Sequence, residues 1–197
     1  MNQKLEQYIA ELDLSQISEP RKDVLGQIAN YVKNSPNPKL NFICTHNSRR
    51  SHLSQIWAQT FADRFGITLK TFSGGTEATA FNPNAVSAIR RAGFNVEAEG
   101  DQNPRYSVSH SEDEAPMVCY SKKFEEEPNP TSGFAAIMTC SEADAECPVV
   151  FGADERIKLF YEDPKISDGT PEEAKTYDAR CKQIATELFY VFSSINN

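Results

Sequence analysis

The sequence predicts an α/β fold in which a parallel sheet is flanked by helices, with a helical extension at the N-terminus. Between residues 39 and 93, short apolar segments alternate with stretches of helical periodicity, an order typical of parallel sheets covered by helices. Residues 134–139 are almost entirely apolar, as expected for a strand buried on both faces. A length of 197 residues, with 39% hydrophobic and 24% charged residues, suits one soluble globular domain with an extension.

The net charge and the cysteines restrict the class of protein. The formal net charge is −8, whereas binding to nucleic acids or anionic membranes relies on positive charge, so neither partner is expected. The first residues contain no apolar run that could serve as a signal peptide, which predicts a cytoplasmic protein. The five cysteines are odd in number and lie in a long chain, so a disulfide scaffold is not expected.

The first 34 residues are expected to form a helical arm that packs on the main domain. Apolar side chains recur at helical spacing in 2–13 and again in 20–34. The segment Ser35–Pro38 then interrupts the chain with two prolines. The sequence is therefore divided into an N-terminal arm, residues 1–34, and a domain at 39–197 that carries every candidate catalytic residue.

The elements of this domain follow from periodicity and from Gly and Pro signals. They alternate at first and then become less regular, with an expected antiparallel pair in the middle of the chain. The predicted elements are a strand at 39–43, a helix at 53–66, a strand at 67–72, a helix at 82–93, an antiparallel pair at 106–110 and 116–122, strands at 134–139 and 156–161, and a helix at 171–194.

One motif lies between the first strand and its following helix: Cys44, five residues, then Arg50 and Ser51. A loop around a helix N-terminus points backbone N–H groups inward, where the helix dipole adds positive potential, so it suits a tetrahedral oxyanion. Arg50 can form paired hydrogen bonds with such an anion, and the same field favours the thiolate form of Cys44. The alternative is that Cys44 merely ends a buried strand.

The residues of this loop are the expected substrate-binding set. Asn47 can hold the turn, and Ser51 can donate a hydrogen bond to the Cys44 thiolate. The set is Thr45, His46, Asn47, Ser48, Arg49 and Ser51. For His46, an ordinary surface role is equally compatible with the sequence. The three histidines lack the spacing of zinc ligands, so no metal is expected.

Asp163 is the candidate proton donor. It stands before Pro164 at the end of the last predicted strand. Because the carboxyl ends of parallel strands share one edge of the sheet, Asp163 and Cys44 are expected on the same side. A thiolate that attacks an oxyanion centre needs a proton for the departing oxygen, and Asp163 can supply it. The alternative is that Asp-Pro simply forms a turn.

These motifs resemble those of the low-molecular-weight protein tyrosine phosphatase superfamily. Residues 39–194 carry them in the family's order: Cys44-x5-Arg50-Ser51, Ser73-Gly-Gly-Thr76, Asn82-Pro83 with Gly93, and Asp163-Pro164. The resemblance implies a four-stranded parallel sheet flanked by helices and no cofactor. It also implies that Cys44 is the nucleophile, Arg50 the oxyanion clamp and Asp163 the general acid.

Within that superfamily, the loop is most similar to that of the thioredoxin-coupled arsenate reductases. Cys140 and Cys147 resemble their redox segment, with the same six-residue gap and Pro148 after the second cysteine. Cys140 follows a predicted parallel strand, so it should lie on the same sheet edge as Cys44. If 140–147 were helical, the two Cα atoms would be about 10 Å apart, whereas a disulfide needs about 7 Å or less. Pairing would then require the segment to unwind.

The resemblance implies reduction of arsenate to arsenite by three cysteines. Cys44 attacks arsenate, Cys140 forms a disulfide with Cys44, and Cys147 then pairs with Cys140, with thioredoxin as the expected reductant. Cys119 and Cys181 are expected to be core residues. Three alternatives stay open: two unpaired cysteines at 140 and 147, a phosphotyrosine phosphatase that needs neither, and a non-catalytic oxyanion-binding or redox-sensing module.

Overall fold

The computed structural model describes residues 1–147 and 149–195. Pro148, part of the predicted redox segment, and Asn196 and Asn197, the end of the predicted domain, lie outside the described residues. In chain order the helices are α1 (Gln3–Ala10), α2 (Glu19–Asn34), α3 (Arg50–Arg64), α4 (Pro83–Ala92), α5 (Ser141–Glu146) and α6 (Glu173–Ile195). The strands are β1 (Lys39–Cys44), β2 (Lys70–Gly75), β3 (Asn95–Glu99), β4 (Arg105–Ser109), β5 (Met117–Cys119), β6 (Phe134–Met138) and β7 (Ala153–Lys158).

The main sheet has four strands in the order β2-β1-β6-β7, and every neighbouring pair is parallel. This confirms the predicted four-stranded parallel sheet flanked by helices. β1 lies in the middle of the sheet, and its residues from Leu40 to Cys44 are buried. Its last residue, Cys44, pairs in register with Gly75, so both lie at the carboxyl edge of the sheet.

Several predicted boundaries shift, and the shifts have physical reasons. The strand expected at 67–72 is β2, Lys70–Gly75, because Ile67 still donates its N–H to Ala62 O at 2.9 Å and so lies in the turn that follows α3. The strand expected at 156–161 is β7, which begins at Ala153. The start of β7 was missed because this edge strand carries exposed polar side chains.

A second sheet of three antiparallel strands has the order β3-β4-β5. Its β4–β5 pair confirms the antiparallel pair expected within 106–122. β3 was not predicted, because its sequence Asn-Val-Glu-Ala-Glu is polar and largely exposed. The strand is held by its backbone pairing with β4, which a sequence pattern does not display.

The N-terminal residues join the same hydrophobic core as the main sheet. Leu5, Leu25 and Ile28 are fully buried in one cluster with side chains of β1 and α6. α1 ends at Ala10, earlier than the expected residue 13, because the chain turns there into a short 3-10 helix at Leu14–Gln16. The division into an arm and a separate domain stays a prediction. In the part of the chain that the structure describes, no helix has the length and apolar character needed to span a membrane.

Candidate active site

The predicted anion loop is formed by residues 44–51, which connect β1 to α3. Cys44 Sγ lies 3.1 Å from Ser51 Oγ. Asn47 Nδ2 donates to the same Ser51 oxygen at 2.9 Å. Because that oxygen accepts from Asn47, its own proton can point to the sulfur. The geometry therefore provides a hydrogen bond that stabilises a Cys44 thiolate.

The loop turns at Asn47, which has the left-handed φ of +44°. Asn is one of the residues that tolerate this conformation. Its side chain is fixed from a second direction, since Asn47 Oδ1 accepts a hydrogen bond from Lys122 N at 3.0 Å. Ser121 adds to this support by donating its hydroxyl to His46 O at 2.9 Å. Residues 121–122, which precede β6, thus hold the loop in place from its inner side.

The end of β2 packs against the loop through Gly75. A Cβ at Gly75 would lie 2.3 Å from Glu77 O, 2.5 Å from Thr45 O and 2.7 Å from Asn47 N, so only glycine fits here. The next residue, Thr76, donates its N–H to Cys44 O at 3.1 Å. These contacts give the Ser-Gly-Gly-Thr motif a role in shaping the loop.

Arg50 and Asp163 meet at the open side of the loop. Arg50 Nη2 donates to Asp163 Oδ2 at 2.8 Å, and Arg50 Nη1 donates to Tyr161 O at 2.9 Å. Asp163 Oδ1 accepts from Lys165 N at 3.0 Å and so caps the 3-10 turn Pro164–Ser167. The arginine and the aspartate predicted from sequence therefore share one small cavity with Cys44.

Arg49, predicted to bind substrate, engages a polar cluster beside this cavity. Its Nε donates to Tyr177 Oη at 2.9 Å and lies 3.8 Å from Asp163 Oδ1, while its Nη2 lies 3.7 Å from Asp168 Oδ2. Tyr177 in turn donates to Asp168 at 2.8 Å. Burial raises the pKa of Tyr177 to about 12, so it remains a phenol that can donate.

The other loop side chains have distinct surroundings. Ser48 donates its hydroxyl to Ala80 O at 2.7 Å, which ties the loop to the chain before α4. His46 is half-exposed, with Nε2 3.6 Å from a carboxylate oxygen of Glu77. Thr45 Oγ1 lies 3.6 Å from Cys140 Sγ. Of the loop side chains, His46, Ser48 and Arg49 line the cavity with Cys44 and Arg50.

Cys140 and Cys147 bracket the short helix α5. Cys140 is its N-cap and Cys147 its C-cap, so the segment between the two cysteines is helical. Both cysteines pack in one apolar cluster with Cys44. Burial raises the pKa of the Cys140 thiol and, with Glu146 nearby, that of the half-buried Cys147.

Cys119 and Cys181 are fully buried in the main core. Burial raises the pKa of Cys119 to about 12 and that of Cys181 to about 11. Cys181 accepts a hydrogen bond from Trp57 Nε1 at 3.3 Å. Both are thiols in the core, as expected from the sequence.

Sequence reasoning missed the residues that support the loop from behind. Besides Ser121 and Lys122, they include His52, which is fully buried on α3. Its Nδ1 lies 3.1 Å from Ser73 Oγ, and burial holds its pKa well below the usual value, so the imidazole is neutral. Nothing local in the sequence marks these residues, because each acts on a partner far along the chain.

The architecture matches solved low-molecular-weight phosphatases. A low-molecular-weight phosphotyrosine phosphatase from Vibrio cholerae O395 aligns with a TM-score of 0.55 and 13% identity, over 81% of this chain and 97% of that one. A YwlE mutant from Bacillus subtilis aligns with a TM-score of 0.56 and 16% identity, over 82% and 100%. The chain has the fold of these proteins.

Curated relatives point to one branch of that fold class. Arsenate reductases from Bacillus licheniformis and Bacillus subtilis are each 27% identical over 141 residues, 72% of this chain and 84% of theirs. The arsenate reductase of Brevibacillus brevis is 28% identical over 147 residues, 73% and 91%. No family model matches the chain. These matches confirm the resemblance to the superfamily and to its arsenate reductases, and they support an enzyme of one of these kinds.

Proposed function

We propose that this protein is an arsenate reductase that uses three cysteines. The observation that carries the proposal is a second thiol at the anion loop: Cys140 Sγ lies 3.6 Å from Thr45 Oγ1, next to Cys44. Cys147 packs against the same apolar cluster. A hydrolase that needs only a nucleophile, a clamp and an acid has no use for these thiols. The curated relatives named arsenate reductase support the same reaction.

In the first step, the Cys44 thiolate attacks arsenate held by the loop. A sulfur–arsenic bond forms while one arsenic–oxygen bond breaks. Arg50 moves its hydrogen bonds onto the anion and offsets its charge. Asp163, beside Arg50, gives a proton to the departing oxygen, which leaves as water.

In the second step, Cys140 attacks the sulfur of Cys44, and its proton passes to an oxygen of the departing arsenite. A disulfide between Cys44 and Cys140 forms as the sulfur–arsenic bond breaks, and its electron pair passes to arsenic. Arsenic thereby goes from the +5 to the +3 state and leaves as arsenite. The two electrons come from the two thiols, so the balance closes without a cofactor.

In the third step, Cys147 attacks Cys140 and releases the Cys44 thiolate. Cys147 is only half-buried as a free thiol, and we expect the resulting disulfide between Cys140 and Cys147 to be open on that side to a protein dithiol such as thioredoxin, which can reduce it. This cycle requires a reducing compartment, so we place the protein in the cytoplasm.

The test is turnover of arsenate with thioredoxin, thioredoxin reductase and NADPH. Wild-type protein is expected to oxidise NADPH only when arsenate is present. The Cys147→Ser variant is expected to stop after about one turnover, because its Cys44–Cys140 disulfide is not resolved. Cys119→Ser serves as the control and should retain multiple turnover. Absence of NADPH oxidation by the wild type would contradict the proposal.

A phosphatase activity is the second candidate, and one observation favours it. A crevice of about 780 Å³ beside Arg50 is lined in part by Phe160 and Ile166, which gives room for the organic group of a phosphate ester. The arsenate activity of the double variant Cys140→Ser, Cys147→Ser separates the two functions, since loss of this activity supports the three-cysteine mechanism. Full retention of the wild-type arsenate activity by this variant would exclude the three-cysteine mechanism, whereas retained ester hydrolysis alone is compatible with both.

A further inference from the structure

Arg156 on β7 binds the segment between Cys140 and Cys147 at three points. Its Nη2 donates to the main-chain oxygen of Asp144 at 2.7 Å and to that of Cys147 at 3.0 Å. The same guanidinium forms an ion pair with the Asp144 carboxylate. Arg156 is therefore attached to both the backbone and a side chain of α5.

Two further contacts hold the same segment. Lys158 lies two residues along β7 from Arg156, on the same face of the strand, and its Nζ is 3.1 Å from Asp144 Oδ2. On the other side, Thr76 donates its hydroxyl to a Glu146 carboxylate oxygen at 2.7 Å. Of these contacts, only those of Arg156 reach backbone carbonyls of the helix.

Those carbonyls are the ones that an α-helix leaves without partners. The last carbonyl groups of a helix have no intrahelical N–H to bind, and α5 ends with Cys147 as its C-cap. Cys147 N still donates to Ala143 O at 3.0 Å, which closes the final turn. Arg156 thus caps α5 in the conformation that keeps its two flanking cysteines separated.

We propose that Arg156 is a positioning residue that stabilises the dithiol form of Cys140 and Cys147 by capping α5. This inference rests on the redox role that the proposed function gives to these two cysteines. Closing the disulfide brings the Cα atoms from about 10 Å to within about 7 Å, which unwinds the segment. The carbonyls of Asp144 and Cys147 then move apart, and Arg156 cannot keep all three contacts.

The reaction that measures this effect needs no arsenate. Two thiols, those of Cys140 and Cys147, lose two electrons and two protons to oxidised glutathione, which becomes two molecules of reduced glutathione. The equilibrium is followed in full-length protein carrying Cys44→Ser, so that no third thiol competes at the site. Alkylation of the remaining thiols and mass spectrometry then give the fraction of disulfide in each glutathione mixture.

We expect Arg156→Gln to raise the equilibrium constant for disulfide formation about tenfold, which lowers the reduction potential by about 30 mV. Asp144→Asn should lower the reduction potential by a smaller amount, because the two hydrogen bonds from Arg156 to backbone carbonyls remain. Arg91→Gln is the matched control: Arg91 forms an exposed ion pair with Asp178, and its loss should leave the potential unchanged.

An Arg156→Gln shift no larger than that of Arg91→Gln would overturn the inference, as would a complete absence of the Cys140–Cys147 disulfide in every glutathione mixture. Because unfolding would also free α5 and favour the disulfide, each variant is compared only where its circular dichroism spectrum matches that of the wild type, which separates loss of the cap from loss of the fold. Failure of the proposed function has another signature: the disulfide forms and responds to Arg156, but the wild type does not reduce arsenate.

Discussion

At the scale of single residues, the central contact of the site is the ion pair between Arg50 and Asp163. Their 2.8 Å contact places a carboxyl group beside the guanidinium that we expect to clamp the oxyanion. We predict that Asp163→Asn lowers kcat for arsenate by about 10²–10⁴-fold, the usual contribution of a general acid, with little change in KM. The neighbouring Glu162→Gln is the control, since this side chain is 92% exposed. A kcat within twofold of wild type would contradict the role of Asp163.

Lys122 gives a prediction with a defined pH window. Burial lowers its pKa to about 8, from 10.5 in the unfolded chain. Between about pH 8 and pH 10.5 the unfolded state therefore binds more protons than the folded state. The free-energy cost of burying the Lys122 charge disappears as the pH rises through this range. Relative to Lys122→Met, the wild type should gain about 1–3 kcal/mol of unfolding free energy between pH 7.5 and 10.5. Urea unfolding at both pH values measures this gain, and a constant difference would contradict it.

At the scale of elements, the junction of β2 with the anion loop depends on Gly75. An added Cβ would meet three backbone atoms within 2.7 Å, and backbone cannot rotate away as a side chain can. We predict that Gly75→Ala costs about 2–4 kcal/mol of stability and weakens binding of inorganic phosphate. Gly26→Ala is the control. Nothing lies within 4 Å of a Cβ added at Gly26, so this substitution in α2 should raise the unfolding free energy by about 0.5–1 kcal/mol. Equal unfolding midpoints of the two variants would refute this account.

Elements whose signals are local could be predicted from the sequence. The parallel strands show apolar runs, and the loop from Cys44 to Ser51 holds the proposed nucleophile and the proposed oxyanion clamp within eight consecutive residues. β3 has no apolar run. It is held in place by backbone hydrogen bonds to β4, so its sequence does not reveal that it is a strand. Lys122 lies 75 residues from Asn47, and the Arg156 cap depends on where β7 passes α5. Such contacts arise only after folding, so no sequence pattern displays them.

At the scale of the whole molecule, the N-terminal helices are fastened to the last helix. Arg21 on α2 forms two hydrogen bonds with Glu187 on α6, at 2.9 and 2.8 Å, and the Glu187 side chain is only 5% exposed. We predict that Arg21→Met lowers the unfolding free energy by about 2–3 kcal/mol, because it removes the cationic partner of a buried carboxylate and leaves it a neutral donor, Gln183 Nε2 at 3.2 Å. Lys22→Met, which removes an exposed ion pair with Glu19, should change it by less than about 0.5 kcal/mol. Urea unfolding of both variants tests the difference, and similar losses would contradict it.

The same fold brings three cysteines to one apolar cluster at the carboxyl edge of the main sheet. The most direct test of their joint action is mass spectrometry of the disulfides formed after a single turnover with arsenate and no external reductant. We predict a Cys140–Cys147 disulfide in the wild type and a Cys44–Cys140 disulfide in Cys147→Ser, each with one equivalent of arsenite. Arsenite formed without these disulfides, or the same disulfides formed equally without arsenate, would contradict the three-cysteine mechanism.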